Sequence, residues 1–193
     1  LANAFSAILN PGDEVIIPTP YWVSYPELVK LADGVPVFVK TDENNSYKYD
    51  INELEKSINS KTKAIIINSP NNPTGSVCTK EELIRLADFA REHNLIIISD
   101  QIYEKLIYGK EEHISIASLN EDTYKRTIVI NGVSKTYAMT GWRIGYAAAD
   151  EKIVKLMSNI QSHTTSGPNS IAQYASLEAL VGDQSSIHVM TEE

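Results

Sequence analysis

Five polar residues have side chains that together could bind and activate a small phosphorylated carbonyl compound. The amine of Lys135 can bond covalently to a carbonyl carbon. The planar guanidinium of Arg143, eight residues later, can bind a phosphate through two parallel hydrogen bonds. The carboxylate of Asp100 can pair with a buried cation, whereas the amide of Asn72 and the phenol of Tyr103 can donate to an oxygen.

The elements that must position these residues are short apolar strands separated by helices. Runs rich in β-branched residues predict six strands, at 14–18, 35–40, 63–69, 95–99, 127–131 and 143–149. Most are apolar on both faces, which is typical of parallel strands covered by helices on each side. The alternation of strands and helices predicts an α/β fold of doubly wound type, with a mostly parallel sheet flanked by helices.

The clearest helix signal follows Thr79, a good N-cap residue. Glu82, three residues later, completes a capping box, and Asn94 is a plausible end of the helix. The residues between them form one apolar stripe at helical spacing, made of Leu83, Leu86, Ala87 and Ala90.

Weaker signals complete the pattern of elements. Asp50 is the predicted cap of a short helix, with Glu53 at its third position. A further helix is expected after Asp150, then a turn at 164–168 and a second helix to about Leu180. The final stretch, 185–193, is predicted to form no closing element.

Ligands of doubly wound sheets bind beyond the carboxyl ends of the strands. Asn72 follows the third predicted strand, Asp100 and Tyr103 follow the fourth, Lys135 follows the fifth, and Arg143 opens the sixth. A set of this kind matches pyridoxal phosphate, which has an aldehyde for the amine and a ring nitrogen that a carboxylate keeps protonated. Its ring oxygen and its phosphate match the remaining side chains. Pyridoxal phosphate is therefore the predicted cofactor.

Each residue taken alone has a simpler interpretation. A lysine in a loop is normally solvated, Asp100 would be a good helix cap, and the stretch NNPTG is a favourable turn. Tyr103 would also serve as an ordinary core tyrosine, and Arg143 as the partner of a nearby carboxylate. These interpretations do not explain why all five residues fall at strand ends on one edge.

The composition narrows the class of protein. The 193 residues include 17 Lys and Arg against 25 Asp and Glu, a net charge of −8, which argues against a nucleic-acid backbone or an anionic membrane as partner. The single cysteine, Cys78, excludes an internal disulfide and fits a cytoplasmic location. The four histidines show no ligand spacing, so no metal site is predicted.

Four stretches of the sequence resemble class I aminotransferases, the fold-type I pyridoxal-phosphate enzymes that include aspartate aminotransferase. They are YPELVKLADGVPVFV, NSPNNPTG, SDQIYEKLIY and GVSKTYAMTGWRIGY, and the resemblance covers residues 2 to about 180 in the family's order. It implies that Lys135 is the lysine bonded to the cofactor and that Asp100 pairs with the ring nitrogen. It also implies that Tyr103 and Asn72 donate to the ring oxygen, and that Asn72 reaches the substrate carboxylate.

The resemblance also implies a phosphate-binding and a ring-stacking group. Arg143 matches the phosphate-binding arginine, Ser134 lies beside the lysine where it can touch the phosphate, and Trp22 matches the aromatic residue that stacks on the ring. An ordinary packed tryptophan remains an alternative for Trp22. One position departs from the family, because Gly132 stands where many relatives have a phosphate-binding serine.

The resemblance implies that residues 1–193 are the cofactor-binding large domain, cut at both ends, without the small domain and the N-terminal arm. The implied activity moves an amino group from an amino acid, aspartate above all, to a 2-oxo acid such as 2-oxoglutarate. The full-length protein is expected to be a cytoplasmic homodimer, and the piece alone to be weak or inactive. Two alternatives stay open, a β-eliminating C–S lyase and a non-catalytic regulator with the same fold.

Overall fold

Six strands form a single sheet in the computed structural model, which describes residues 1–192. The strands are β1 (Glu14–Thr19), β2 (Val35–Lys40), β3 (Thr62–Asn68), β4 (Ile96–Asp100), β5 (Thr127–Gly132) and β6 (Gly145–Ala148). Their order across the sheet is β2-β1-β3-β4-β5-β6, and only β6 is antiparallel to its neighbour. The predicted doubly wound, mostly parallel α/β fold is confirmed.

Helices lie before, between and after the strands. They are α1 (Ala2–Ile8), α2 (Ser24–Leu31), α3 (Ile51–Glu55), α4 (Lys80–Glu92), α5 (Glu121–Arg126), α6 (Glu151–Thr164), α7 (Ser170–Val181) and α8 (Ser185–Glu192). The predicted helix, turn and helix after Asp150 correspond to α6 and α7, and Asp150 caps α6 through the backbone N–H of Lys152. Among the residues described, no helix is long and apolar enough to cross a membrane.

Alternate residues of each central strand pack on opposite faces of the sheet. Ile65 of β3 and Ile97 of β4 pack in one buried cluster with residues of α3 and α4. Ile66 and Ile98, one position further along, pack in a second cluster with residues of α1 and α2. Because the side chains of a strand alternate between faces, a continuous apolar run gives the strand an apolar surface on both faces, and helices can then pack on each side of the sheet.

The capping box predicted for α4 is present. The hydroxyl of Thr79 accepts from the backbone N–H of Glu82 at 3.3 Å, and the Glu82 carboxylate accepts from the backbone N–H of Thr79 at 2.7 Å. The predicted apolar stripe is buried throughout, and Asn94 follows the helix with a φ of 52°. Lys48 adds an ion pair to Glu82 at 3.0 Å, so the start of α4 is tied to the loop between β2 and α3.

Replacing Thr79 with alanine removes the acceptor for one backbone N–H at the start of α4. We expect the free energy of unfolding to fall by about 1 kcal/mol, as measured by urea denaturation. Thr79→Ser keeps a hydroxyl at this position and should stay close to the wild type. Equal losses in the two variants would contradict the capping role.

Two expectations from the sequence are wrong. The sixth strand begins at Gly145, because Arg143 ends a short 3-10 turn (Thr140–Trp142) with a φ of 57°, which interrupts extended backbone. The last stretch does form an element, since α8 begins at Ser185 and buries Ile187. Residue 193, which also belongs to that stretch, lies outside the described residues.

Candidate functional site

A cavity of about 320 Å³ lies where β3, β4 and β5 end. Every residue that the sequence singled out for chemistry or cofactor binding lines it: Trp22, Asn72, Asp100, Tyr103, Ser134, Lys135 and Arg143. Residues more than a hundred positions apart in the chain thus meet at the carboxyl edge of the sheet. The structure places these side chains together, and their individual roles remain predictions.

Asp100 is the last residue of β4 and is 5% exposed. Its two carboxylate oxygens accept hydrogen bonds from the Tyr25 hydroxyl, at 2.8 Å, and from the backbone N–H of Ile102, at 3.2 Å. Burial raises the pKa of the Asp100 carboxyl, and the two hydrogen bonds act in the opposite direction. A carboxylate in this environment is stabilised by a cationic group, so the cavity suits a ligand with a protonated ring nitrogen.

Asn72 and Tyr103 present two neighbouring polar groups to the cavity. The Asn72 side-chain amide donates to the Tyr103 hydroxyl at 3.3 Å, and both residues are half-buried. Asn72 lies on the turn after β3, and Tyr103 lies on the turn after β4. Both groups can donate to a ligand oxygen, as the sequence predicted for the ring oxygen of the cofactor.

Asn68, the last residue of β3, is a structural link that the sequence analysis missed. Its side-chain oxygen accepts from the backbone N–H of Asn72 at 2.8 Å, and its amide nitrogen donates to the backbone carbonyl of Asp100 at 3.1 Å. It is 4% exposed and lines the cavity. A polar residue ending an otherwise apolar run, AIIIN, is the signal that could have found it.

Asn68→Ala should leave two backbone groups near the cavity without their partner. We expect a loss of about 2 kcal/mol in the free energy of unfolding, because a buried polar group without a hydrogen bond is costly. Asn131→Ala is the matched control, since Asn131 is also buried near the end of a strand but accepts a single bond, from Gly132 N–H at 2.7 Å. Urea denaturation of both variants measures the difference, and an equal or smaller loss for Asn68→Ala would contradict the linking role.

Lys135 lies three residues after β5 and is half-buried. Its Nζ atom is 5.7 Å from the centroid of the Tyr103 ring, and no hydrogen bond to Nζ is found within residues 1–192. Its backbone carbonyl accepts from the N–H of Ala138 at 3.1 Å, which closes a turn directly after the lysine. The amine is thus held at the cavity wall and is available to a ligand.

Ser134 and Arg143 also line the cavity, and they are the candidate phosphate ligands. Ser134 is half-buried, whereas Arg143 is exposed and donates through Nη1 to the carbonyl of Thr140 at 2.8 Å. At position 132, where many relatives have a serine, the structure leaves no room for a side chain. A Cβ atom there would lie 2.8 Å from the carbonyl oxygen of Ile144, because β5 and β6 pair at this position.

Trp22 lines the cavity and is 38% exposed. Its ring meets that of Tyr25 edge to face, with centroids 5.4 Å apart and planes at 85°. The indole is therefore packed on one neighbour while part of its surface stays accessible. This arrangement is compatible with stacking on a flat ligand.

The fold and the cavity define a ligand-binding α/β domain with an amine, a carboxylate and a guanidinium at the carboxyl edge of its sheet. The chain belongs to the aminotransferase class I and II family, whose sequence model matches residues 1–193. Enzymes of this family use pyridoxal phosphate, which confirms the predicted cofactor. The donor set fits that molecule, since one cavity offers an amine, a carboxylate for the ring nitrogen and a cation for the phosphate.

Similar proteins agree with the family assignment. Aspartate aminotransferase of Bacillus sp. (strain YM-2) is 55% identical over 190 residues, which are 98% of this chain and 48% of the relative. Aspartate aminotransferase of Bacillus subtilis (strain 168) is 54% identical over 192 residues, 100% of this chain and 49% of the relative. The crystal structure of an aromatic aminotransferase from Pyrococcus horikoshii OT3 matches with a TM-score of 0.97 and 46% identity, over 100% of this chain and 52% of that one. The chain thus spans about half the length of the relatives it matches.

Proposed function

We propose that the whole protein is a pyridoxal-phosphate-dependent aminotransferase that moves the amino group of aspartate to a 2-oxo acid such as 2-oxoglutarate. The observation that carries this proposal is the meeting of Lys135, Asp100 and Arg143 in one cavity of a chain from this family. The choice of aspartate rests on the names of the Bacillus relatives. The Pyrococcus neighbour, named as an aromatic aminotransferase, supports amino transfer with a different substrate class.

We infer a binding role for each group that lines the cavity. The Asp100 carboxylate would pair with the ring nitrogen, while Asn72 and Tyr103 would donate to the ring oxygen. The face of Trp22 would stack on the ring. Arg143 would bind the phosphate through its guanidinium, and the Ser134 hydroxyl would be a further donor to the phosphate.

When bound, pyridoxal phosphate supplies an electron sink for negative charge at the substrate Cα. The Lys135 amine would hold the cofactor at its aldehyde carbon, with loss of water, and as a free amine would act as the general base for the substrate Cα proton. The ionised Asp100 would hold the proton on the ring nitrogen and so maintain the sink. Asn72 would also orient the substrate by donating to its carboxylate.

The domain organisation, the cellular location and the oligomeric state of the protein belong to the same proposal. We infer that residues 1–193 are the large, cofactor-binding domain of a cytoplasmic homodimer. The net charge of −8 argues against a nucleic-acid or anionic membrane partner. Among residues 1–192, no cluster of His, Cys, Asp and Glu has the arrangement of a metal site.

The test is amino transfer by the purified whole protein. Aspartate and 2-oxoglutarate are supplied with pyridoxal phosphate, and glutamate formation is followed over time. Glutamate is the expected product, and its absence with every amino acid tried would overturn the proposal. Pyruvate and ammonia released from cystathionine, without transfer, would instead indicate a C–S lyase. Cofactor binding without any turnover would indicate a regulator, and the names of the relatives favour neither alternative.

A further inference from the structure

Tyr25 contacts two of the residues that line the cavity, and the proposed function leaves it without a role. Its hydroxyl donates to the Asp100 carboxylate at 2.8 Å, although the two residues are 75 positions apart in the chain. The edge-to-face contact with Trp22 uses the ring of the same residue. Tyr25 is 2% exposed and packs within the apolar cluster that contains Val29 and Phe5.

The local sequence explains how one side chain reaches both partners. The backbone N–H of Tyr25 donates to the carbonyl of Trp22 at 3.0 Å, which closes a turn at the start of α2. The turn brings the two aromatic rings together, and α2 then packs its buried face on the sheet. Because Tyr25 is fixed by both the helix and the core, neither its ring nor its hydroxyl is free to move far.

The electrostatics favour a permanent donor at this position. Burial, followed by the negative charge of Asp100, raises the pKa of the Tyr25 phenol well above its ordinary value, so the hydroxyl stays protonated. Its hydrogen bond favours the ionised form of Asp100, whereas burial favours the neutral form. The other titratable side chains that line the cavity are the Tyr103 phenol, the Lys135 amine and the Arg143 guanidinium.

We propose that Tyr25 is a positioning residue that holds the Asp100 carboxylate and the Trp22 ring in place for the cofactor ring. This inference rests on the proposed function, because it assigns both partners to the cofactor. One rigid side chain then sets two contacts at once, the charge that faces the ring nitrogen and the aromatic surface that faces the ring. Loss of the hydroxyl alone should release the first contact and keep the second.

Tyr25→Phe removes the hydroxyl and keeps the ring that packs on Trp22. The dissociation constant of pyridoxal phosphate is measured by absorbance titration across a range of pH. We expect it to rise about tenfold near neutral pH, the usual effect of losing a hydrogen bond to a charged group. The acid limb of binding should move to higher pH, because Asp100 loses a group that favours its ionised form.

Tyr21→Phe is the matched control. Tyr21 lies four residues earlier, its ring stacks on Phe38 at 5.1 Å, and its hydroxyl makes no hydrogen bond within the described residues. The same chemical change there should leave both the dissociation constant and its pH dependence unaltered. Identical titrations for Tyr25→Phe and Tyr21→Phe would overturn the positioning role.

A double-mutant cycle with Asp100→Asn separates an effect through Asp100 from a general loss of packing. If Tyr25 acts through the carboxylate, adding Tyr25→Phe to Asp100→Asn should change the dissociation constant less than twofold. A further tenfold loss in that background would overturn the proposal. If Tyr25→Phe alone fails to fold but the double variant folds, the positioning role is supported, because the double variant has no buried charge without a partner. If neither variant folds, the positioning role is overturned, and Tyr25 serves packing instead.

The two levels of inference fail in different ways. Borohydride reduction of the wild type with the cofactor should attach a pyridoxyl group to Lys135. Absence of that label would overturn the proposed site, and with it the role of Tyr25. A label on Lys135 together with unchanged titrations for Tyr25→Phe would overturn the role of Tyr25 alone.

Discussion

Lys135→Ala is expected to abolish covalent attachment of pyridoxal phosphate and to lower amino transfer by about 10⁴-fold or more. The substitution removes both the amine that bonds to the aldehyde and the proposed general base. Borohydride reduction followed by peptide mass mapping measures attachment, and glutamate formation measures transfer. The wild type should carry the pyridoxyl group on the peptide that contains Lys135, and the variant should carry none.

Lys110→Ala is the matched control for this experiment. Lys110 is exposed and does not line the cavity, so its loss should change neither the label nor the rate. Residual cofactor binding by Lys135→Ala is expected, because Asp100 and Arg143 remain in place. Turnover by Lys135→Ala close to that of the wild type would refute the assignment of the lysine.

Asp100→Asn should separate the stability of the protein from its activity. The amide has the shape of the carboxylate, but it has one acceptor oxygen in place of two, so it can keep the hydrogen bond from the Tyr25 hydroxyl or the one from the Ile102 N–H but not both. It also carries no charge to hold a proton on the ring nitrogen. We expect amino transfer to fall by about 10³-fold, corresponding to roughly 4 kcal/mol of lost transition-state stabilisation. Initial rates with aspartate and 2-oxoglutarate measure this loss.

The stability of the same variant should change little. Burial raises the pKa of Asp100 in the folded protein, so the ionised form opposes folding at pH values above that pKa. A neutral side chain removes this cost but leaves one of the two donors without its acceptor, so the two effects offset and the melting temperature near neutral pH should change little. Asp33→Asn, the same change at an exposed position outside the cavity, should affect neither quantity. A large drop in melting temperature accompanying the loss of activity in Asp100→Asn would instead indicate a structural role.

Much of the fold could be predicted because its signals are local. The capping box of Thr79 and Glu82 involves residues three apart, and the buried stripe of α4 repeats at helical spacing. The two-sided apolar strands indicated a sheet covered on both faces, as the two core clusters show. Positions at strand ends then placed Asn72, Asp100 and Lys135 at one edge.

The errors arose where backbone conformation departs from a local pattern. The run from residue 143 is rich in strand-forming residues, yet the positive φ of Arg143 delays β6 to Gly145. The helix α8 is only eight residues long, and the sequence analysis missed the Asp183 carboxylate that accepts from the backbone N–H of Ser185 at its start, at 3.1 Å. A buried contact through Ile187 accompanies the helix in the folded chain. A periodicity argument cannot detect either effect.

Residue types and order along the chain determined the class of fold, the cofactor and the set of side chains for it, since strand ends of a parallel sheet share one edge whatever the loops do. Tertiary structure alone decided which partners support them: the Tyr25 hydroxyl on Asp100, Asn68 between two strand ends, and the lack of room at Gly132. These contacts depend on distances of a few ångströms between segments far apart in sequence. Such distances follow from how helices and strands pack, and they cannot be read from the spacing of residues along the chain.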